Sequence, residues 1–173
     1  MASNFSFRRA LAACSVLAIC TGPIGWAEPQ TVKISQFSGK EVPRFESLRY
    51  SAVHGRQGPS LDHPILWRYE KTGLPVLILR ETHNWRRVRD HQGDEVWIQA
   101  RMLSAETNVL ILRDTLLLEE EAETSDPRAQ LKAGLVAELL GCASSTCEIK
   151  IDKTKGWVLK ADLWGTEIQA SGL

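Results

Sequence analysis

The chain has 173 residues, with 21 basic and 21 acidic side chains. These charges are unevenly placed, because residues 48–104 hold nine basic and six acidic side chains whereas residues 105–173 hold seven and twelve. Neither segment has the concentrated basic surface that phosphate binding requires, which argues against nucleic acid as the main partner.

The first 27 residues predict a secretory signal peptide. An Arg-Arg pair precedes an apolar run over residues 10–19, and small residues follow at Gly25 and Ala27. This run is about half of the roughly 20 apolar residues that a membrane-spanning helix needs, so we expect no transmembrane anchor. Cleavage after Ala27 would leave a mature chain that starts at Glu28 and is slightly acidic, with 19 basic against 21 acidic side chains. The expected location is the periplasm or the medium.

Two other export signals compete with this interpretation. Cys14 closes a "LAAC" sequence that is similar to a lipoprotein processing box, but only four apolar residues separate it from Arg9. The Arg8-Arg9 pair is similar to a twin-arginine signal, but Phe7 precedes it and no basic residue follows the start of the apolar run. General secretion without a lipid anchor is therefore favoured.

Residues 28–47 predict a linker or an N-terminal arm. They mix proline, glycine and polar residues without a sustained period, and only Val32 and Ile34 suggest a short edge contact.

From residue 48 onward the chain nearly repeats itself at a distance of 60 to 61 residues. Gly73 matches Gly134, and Trp97 matches Trp157. Both copies contain short runs rich in Val, Ile, Leu and Trp between turn residues, which indicates an all-β barrel or sandwich.

The two copies predict two small β domains, over residues 48–104 and 105–173. In the second, the acidic run at residues 119–123 has helical propensity, but Pro127 argues against one long helix. We therefore predict a strand and a long loop there, and an acidic block of this kind is usually a solvated loop.

Two cysteines would remain in the mature chain, Cys142 and Cys147. An even pair in an exported protein is typical of a disulfide. A zinc site needs four ligands, and no histidine lies near the pair in sequence. A redox motif has two intervening residues where this pair has four.

The first copy resembles the bacterial SH3-like domain. Three positions depart from that pattern: His54 replaces an asparagine, Gly55 an apolar residue, and Val96 the glycine before the tryptophan. The matching positions are Val53, Arg56, Gly58, Pro59, Ser60, Gly73, Trp85, Val88, Gly93 and Trp97.

The second copy resembles the same domain less closely. It has Thr146 in place of Trp85, and the disulfide would compensate by tying the start of that strand to the end of the one before. The matching positions are Gly134, Ile149, Gly156, Trp157 and Val158. The resemblance implies two tandem SH3-like β-barrels in an exported protein of alphaproteobacterial type. It also implies a module that binds peptidoglycan, peptides or a protein partner in the cell envelope.

The stretch "NWRRVRDHQGDEVWI" predicts a hairpin that turns near residues 91–94. Trp97 has a counterpart in Trp157, so we expect both of these rings to be mainly structural and buried. Trp85 has no such counterpart and is the better candidate for an exposed groove. Three arginines beside it could bind carboxylates: Arg86, Arg87 and Arg89.

Trp67 and Tyr69 alternate on one strand, where they either extend the predicted groove or pack under a loop. Neither reading is preferred.

No motif of the sequence predicts a metal site, a cofactor or catalysis. The histidines are spread over nearly forty residues, mostly in predicted turns: His54, His63, His83 and His91. There is no nucleophile elbow, zinc-protease helix or glycine-rich phosphate loop. The sequence therefore predicts a binding module without enzyme activity, and the alternative is a structural or inhibitory envelope protein that acts by protein contact.

Overall fold

Residues 33–166 are described by the computed structural model, and nearly all of their regular structure is β-strand, with two short 3-10 helices. The predicted all-β fold is confirmed. All of these residues belong to one structural unit. The predicted signal peptide, Cys14 and Val32 lie outside the described residues.

The strands form a two-stranded ribbon and two seven-stranded antiparallel sheets. The ribbon consists of β1 (Lys33–Ile34) and β2 (Glu41–Val42). The first sheet consists of β3 (Arg44–Leu48), β4 (Val53–Arg56), β5 (Ile65–Tyr69), β6 (Pro75–Glu81), β7 (Trp85–Arg89), β8 (Glu95–Gln99) and β9 (Leu103–Ser104). The second sheet consists of β10 (Asn108–Ile111), β11 (Thr115–Leu118), β12 (Pro127–Leu131), β13 (Val136–Cys142), β14 (Thr146–Ile151), β15 (Thr154–Leu159) and β16 (Leu163–Trp164).

The two sheets have the same strand order. The first runs β5-β4-β8-β7-β6-β3-β9 and the second β12-β11-β15-β14-β13-β10-β16. In each, a 3-10 helix precedes the last strand, Ala100–Met102 in the first and Lys160–Asp162 in the second. We call these two domains the first barrel and the second barrel.

Each barrel encloses its own apolar core, because period-2 alternation turns every second side chain inward. The first core contains Leu48, Val53, Leu74, Val76, Ile78, Val88, Val96, Ile98 and Leu103. The second contains Val109, Ile111, Leu117, Leu131, Ala137, Cys147, Ile149, Val158 and Leu163.

The first barrel begins at Arg44, before the predicted boundary at residue 48. Strand β3 pairs with both β6 and β9, so it is an interior strand of the sheet and not part of a linker. Its sequence, RFESL, contains three polar residues in five, and the strand is held by its two neighbours more than by its own pattern.

The predicted hairpin of the first barrel is confirmed. Strands β7 and β8 are joined through residues 90–94, where the Asp90 carboxylate accepts hydrogen bonds from the backbone N–H groups of Gln92 and Asp94, both at 3.0 Å. Gly93 adopts φ 94°, a conformation that costs glycine little. In the second barrel, the predicted strand before the acidic run is β11 (Thr115–Leu118), and residues 119–126 contain no helix. The chain then forms a further strand, β12 (Pro127–Leu131), where the prediction had only a loop.

The predicted disulfide between Cys142 and Cys147 is confirmed. These residues face each other across β13 and β14. In the first barrel the corresponding pair across β6 and β7 is Glu81 and Arg86, which form a largely buried ion pair with Arg86 Nε 3.0 Å from Glu81 Oε1. One position of the hairpin is therefore closed by a covalent bond in one barrel and by an ion pair in the other.

The two barrels share a packed surface around Trp164. Its ring meets that of Phe45 edge to face, with centroids 5.2 Å apart, and its Nε1–H donates to the Pro75 carbonyl at 3.1 Å. Ser47 Oγ accepts a hydrogen bond from Asn108 Nδ2 at 3.1 Å. Leu110, from the second barrel, belongs to the core cluster of the first. These contacts join the barrels through both apolar packing and hydrogen bonds.

Glu81 also attaches the N-terminal arm to the first barrel. Its carboxylate accepts hydrogen bonds from Ser38 Oγ at 2.6 Å and from Arg44 Nη2 at 2.6 Å. Burial opposes its ionisation, but hydrogen bonds from Ser35, Ser38 and Arg44 outweigh that cost, and the pKa of Glu81 is lowered.

We expect the free energy of unfolding to fall as the pH drops below the ordinary glutamate pKa of about 4.3. A lowered pKa in the folded state stabilises the fold at pH values above the unfolded-state pKa, and this contribution is lost as the pH falls through the folded-state pKa. Urea unfolding from pH 7 to pH 3 measures it. The variant Glu81→Gln should show a weaker acid dependence, and an acid dependence identical to that of the unsubstituted protein would contradict the assignment.

Candidate functional site

A cleft of about 200 Å³ opens in the first barrel where β4, the start of β7 and the end of β8 meet the first 3-10 helix. The loop between β4 and β5 closes one side through Leu61. The lining residues are Ala52, His54, Arg56, Leu61, Trp85, Gln99, Arg101 and Met102. The set combines apolar and aromatic surface with basic side chains and contains no acid.

Trp85 belongs to the buried core and is only 9% exposed, so the expectation of an exposed ring is wrong. It is the first residue of β7 and pairs with Gln99 at the end of β8. Trp85 is also one of the residues that line the cleft. A binding role for Trp85 stays a prediction, now through the ring surface that the cleft exposes.

Trp97 and Trp157 are only partly buried and lie outside both core clusters, so the expectation that their rings are buried is wrong. A structural role for them stays a prediction. Val96 and Ile98 point into the first core, and the alternation of the strand turns Trp97 to the opposite face. There its backbone lies in register between Arg56 and Arg87. Gly156 and Val158 flank Trp157 in the same way.

The three arginines of β7, predicted as binding residues, all form ion pairs within the barrel. Arg86 pairs with Glu81, as described above. Arg87 Nη2 and Arg89 Nη2 each lie 2.6 Å from a carboxylate oxygen of Glu95. Neighbouring acids therefore compensate part of their positive charge, and the structure does not bring these arginines into the cleft.

Tyr69 and Trp67 have separate surroundings. Tyr69 packs against the first core, and its hydroxyl donates to Asp90 Oδ2 at 3.0 Å. Burial, together with the neighbouring Asp90 carboxylate, raises the pKa of Tyr69. Trp67 is 48% exposed on β5, the edge strand of the sheet, beside the exposed Ile65 and Leu66. Neither Tyr69 nor Trp67 lines the cleft. These two residues therefore do not form one groove with Trp85.

Arg56 and Arg101 are the basic residues of the cleft, and the sequence interpretation did not select them as binding residues. Arg56 Nη1 donates to the carbonyls of Leu61 at 2.9 Å and His63 at 2.7 Å, which fixes the β4–β5 loop. Arg101 Nε donates to Gln99 Oε1 at 3.1 Å. Within residues 33–166 neither guanidinium pairs with a carboxylate. The available signal was that Arg56 lies in the motif that resembles the bacterial SH3-like domain.

The second barrel lacks this chemistry at the same register positions. Arg56 pairs with Trp97, and the counterpart that pairs with Trp157 is Leu118. The pair formed by Trp85 and Gln99 is replaced by one of Thr146 and Leu159. The cleft chemistry therefore belongs to the first barrel alone.

Residues 33–166 contain neither a metal-binding cluster nor a membrane-spanning helix. No group of three or more His, Cys, Asp or Glu side chains there is placed to hold a metal ion. None of the helices in these residues has the length and apolar character needed to cross a membrane.

Two solved structures from Trichomonas vaginalis are similar to this chain. NlpC2 shares 14% identity, with 70% of this chain and 48% of that chain covered and a TM-score of 0.32. NlpC1 shares 16% identity, with 76% of this chain and 48% of that chain covered and the same TM-score of 0.32. The chain thus spans about half the length of the solved structures it matches.

No curated protein matches the chain. Residues 50–105 match the sequence family described as "Bacterial SH3 domain". This range covers most of the first barrel and all the residues that line the cleft. The sequence match therefore supports the identification of the first barrel as a bacterial SH3 domain.

Proposed function

We propose that this protein is a non-enzymatic binding module of the bacterial cell envelope, which recognises a cell-wall peptide or glycan, or a protein partner, through the first barrel. The observation that carries the proposal is the cleft beside Trp85, where aromatic surface and two arginines without acidic partners meet. This cleft lies in the segment that matches the bacterial SH3 domain. Bacterial SH3-like domains are similar to modules that target a protein to the cell wall. A targeting module needs a recognition site and no catalytic group.

We further propose that the two barrels are tandem copies, of which the second has kept the fold and lost the cleft. Their identical strand order supports this origin, as does the 60- to 61-residue offset between matching positions. Export through a signal peptide at residues 1–27, and a periplasmic or secreted location, belong to the same proposal. The Cys142–Cys147 disulfide favours export, because disulfides persist in oxidising compartments.

Sedimentation of the exported protein with purified cell-wall sacculi tests the proposed function. We expect the protein to pellet with the sacculi and to remain in solution without them. The variant Leu61→Glu places an acid at the exposed rim of the cleft and should lose retention. A matched control is Leu116→Glu, since Leu116 is similarly exposed on a strand of the second barrel. Equal retention of both variants would place the binding surface outside the cleft.

A second candidate function is that of a structural or inhibitory envelope protein that acts by protein contact. It is favoured by the edge strand β5, where Ile65, Leu66 and Trp67 are each about half exposed. An apolar edge strand can add a strand from a partner. Leu66→Lys should then abolish co-purification of a partner while Leu61→Glu leaves it intact, and the reverse result would favour the cleft.

A further inference from the structure

The cleft holds uncompensated positive charge. Elsewhere in the first barrel, Arg44, Arg86, Arg87 and Arg89 are paired with Glu81 or Glu95. Arg80, on β6, does not line the cleft. Arg56 and Arg101, by contrast, pair with no carboxylate of the described residues and line the same cleft. Two guanidinium groups around an acid-free cleft favour an anionic ligand, because a guanidinium presents parallel N–H donors that match the oxygens of a carboxylate.

The arginines are held in place before any ligand binds. Arg56 is fixed by two backbone carbonyls through Nη1, and Arg101 by Gln99 Oε1 through Nε. In both cases the hydrogen bonds within the described residues use one nitrogen of the guanidinium. The other nitrogens keep donors for a ligand, and a preorganised donor loses less conformational freedom on binding.

The size and the remaining lining restrict what the anion can be. The cleft volume of about 200 Å³ is below the roughly 300–1,000 Å³ of pockets that enclose a drug-sized molecule. It therefore suits the end of a chain better than an extended glycan. Leu61, Met102 and the Trp85 ring supply apolar surface beside the charge, which suits a terminal residue with a small or apolar side chain.

We propose that this cleft binds the free α-carboxylate at the end of a peptide, with the carboxylate between Arg56 and Arg101 and the terminal side chain against Trp85 and Met102. The inference rests on the proposed function, because it names the chemistry that the first barrel recognises. The second barrel provides an internal comparison, since Leu118 stands at the position of Arg56 and that barrel is not expected to bind.

Nuclear magnetic resonance titration of the full exported chain with N-acetyl-alanyl-alanine tests this inference. We expect the Trp85 indole N–H signal to shift, and the free acid to bind at least about tenfold more tightly than the C-terminal amide, since charge-assisted hydrogen bonds are lost in the amide. The D,D and L,L forms identify the source: tighter binding of the D,D form indicates a wall peptide and of the L,L form a protein C-terminus, and either result supports a carboxylate site.

The arginines are tested by matched charge removal. Arg101→Gln should weaken binding of the free acid by about tenfold, the value expected for one charge-assisted pair. The control is Arg128→Gln, on an exposed strand of the second barrel, which should bind normally. Arg87→Gln tests the competing site on β7. Equal binding of acid and amide, or a loss in R87Q with none in R101Q, would overturn the inference.

The proposed function and the carboxylate inference fail in different ways. Retention on sacculi that persists in R101Q and is not displaced by the dipeptide would leave the binding module intact and overturn the carboxylate site. The opposite result is that the dipeptide binds and R101Q weakens this binding, while the protein neither sediments with sacculi nor co-purifies with a partner. That result would support the carboxylate site and remove the proposed function.

Discussion

Replacing Gly55 by leucine is expected to destabilise the first barrel by about 3 kcal/mol, the upper part of the range for overpacking a core. A Cβ atom at Gly55 would lie 2.7 Å from Val96 Cγ2 and 3.2 Å from Tyr69 Cε2. Val96 is fully buried in the first core, so it cannot move aside without disturbing its neighbours.

The second barrel has the same contact, but the small and the large residue have exchanged strands. Because Arg56 pairs with Trp97 and Leu118 pairs with Trp157, the residues that precede each of them correspond. Leu117 then occupies the place of Gly55, and Gly156 that of Val96. A Cβ atom at Gly156 would lie 2.7 Å from Leu117 Cγ. Each barrel thus has one large and one small residue at this contact.

The double variant Gly55→Leu with Val96→Gly should therefore recover stability that Gly55→Leu alone loses. We expect a favourable coupling of about 1 kcal/mol or more in a double-mutant cycle. Urea unfolding of the four proteins measures it. Gly141→Leu is the control, since an added Cβ atom there meets nothing within 4 Å. Additive losses in the double variant would show that the two positions do not share one space.

Trp164→Ala is expected to lower the free energy of unfolding by about 3 kcal/mol, near the low end for a large aromatic because the ring is only partly buried. The variant loses the contact with Phe45 and the hydrogen bond to the Pro75 carbonyl. Since these contacts cross between the barrels, their loss should also separate the unfolding of one barrel from that of the other.

Scanning calorimetry tests this coupling. The unsubstituted protein should unfold in a single transition, and Trp164→Ala in two. Trp67→Ala is the matched control, because its ring is 48% exposed on an edge strand and its removal should change the free energy of unfolding by about 0.5 kcal/mol or less. Two transitions in the unsubstituted protein would mean that the surface around Trp164 does not couple the barrels.

The sequence was sufficient to predict the all-β fold and the disulfide. Period-2 alternation and the internal offset indicate strands, and an even cysteine pair in a chain with a predicted export signal indicates a covalent bond. The sequence also shows that Gly55 and Val96 depart from the pattern of the bacterial SH3-like domain. Only the structure shows that these two residues touch, because the register of β4 and β8 brings together positions forty-one apart in sequence.

The positions of the tryptophans could not be obtained by comparing the two copies. A ring that both copies share was expected in the core, yet Trp97 and Trp157 lie on the opposite face from their buried neighbours. Their strands already contained the stronger signal: Val96 and Ile98 flank Trp97, and alternation cannot bury all three on one side. Size alone is a weaker guide to burial than the period of the strand.

The arginines illustrate a second limit. Sequence proximity favoured the cluster on β7, but cross-strand neighbours supply acids to that cluster, and Glu95 alone pairs with both Arg87 and Arg89. The basic residues of the cleft come from a different strand and from the 3-10 helix. Which charges remain uncompensated depends on strand pairing, and composition does not contain that information.

The two ways of closing the equivalent hairpins give the barrels different requirements for maturation. The ion pair between Glu81 and Arg86 forms as soon as the chain folds in neutral solution. The disulfide between Cys142 and Cys147 needs an oxidant in addition to folding. If the chain is exported as proposed, the barrel that carries the cleft is complete without oxidation, and the other acquires its last crosslink only on the far side of the membrane.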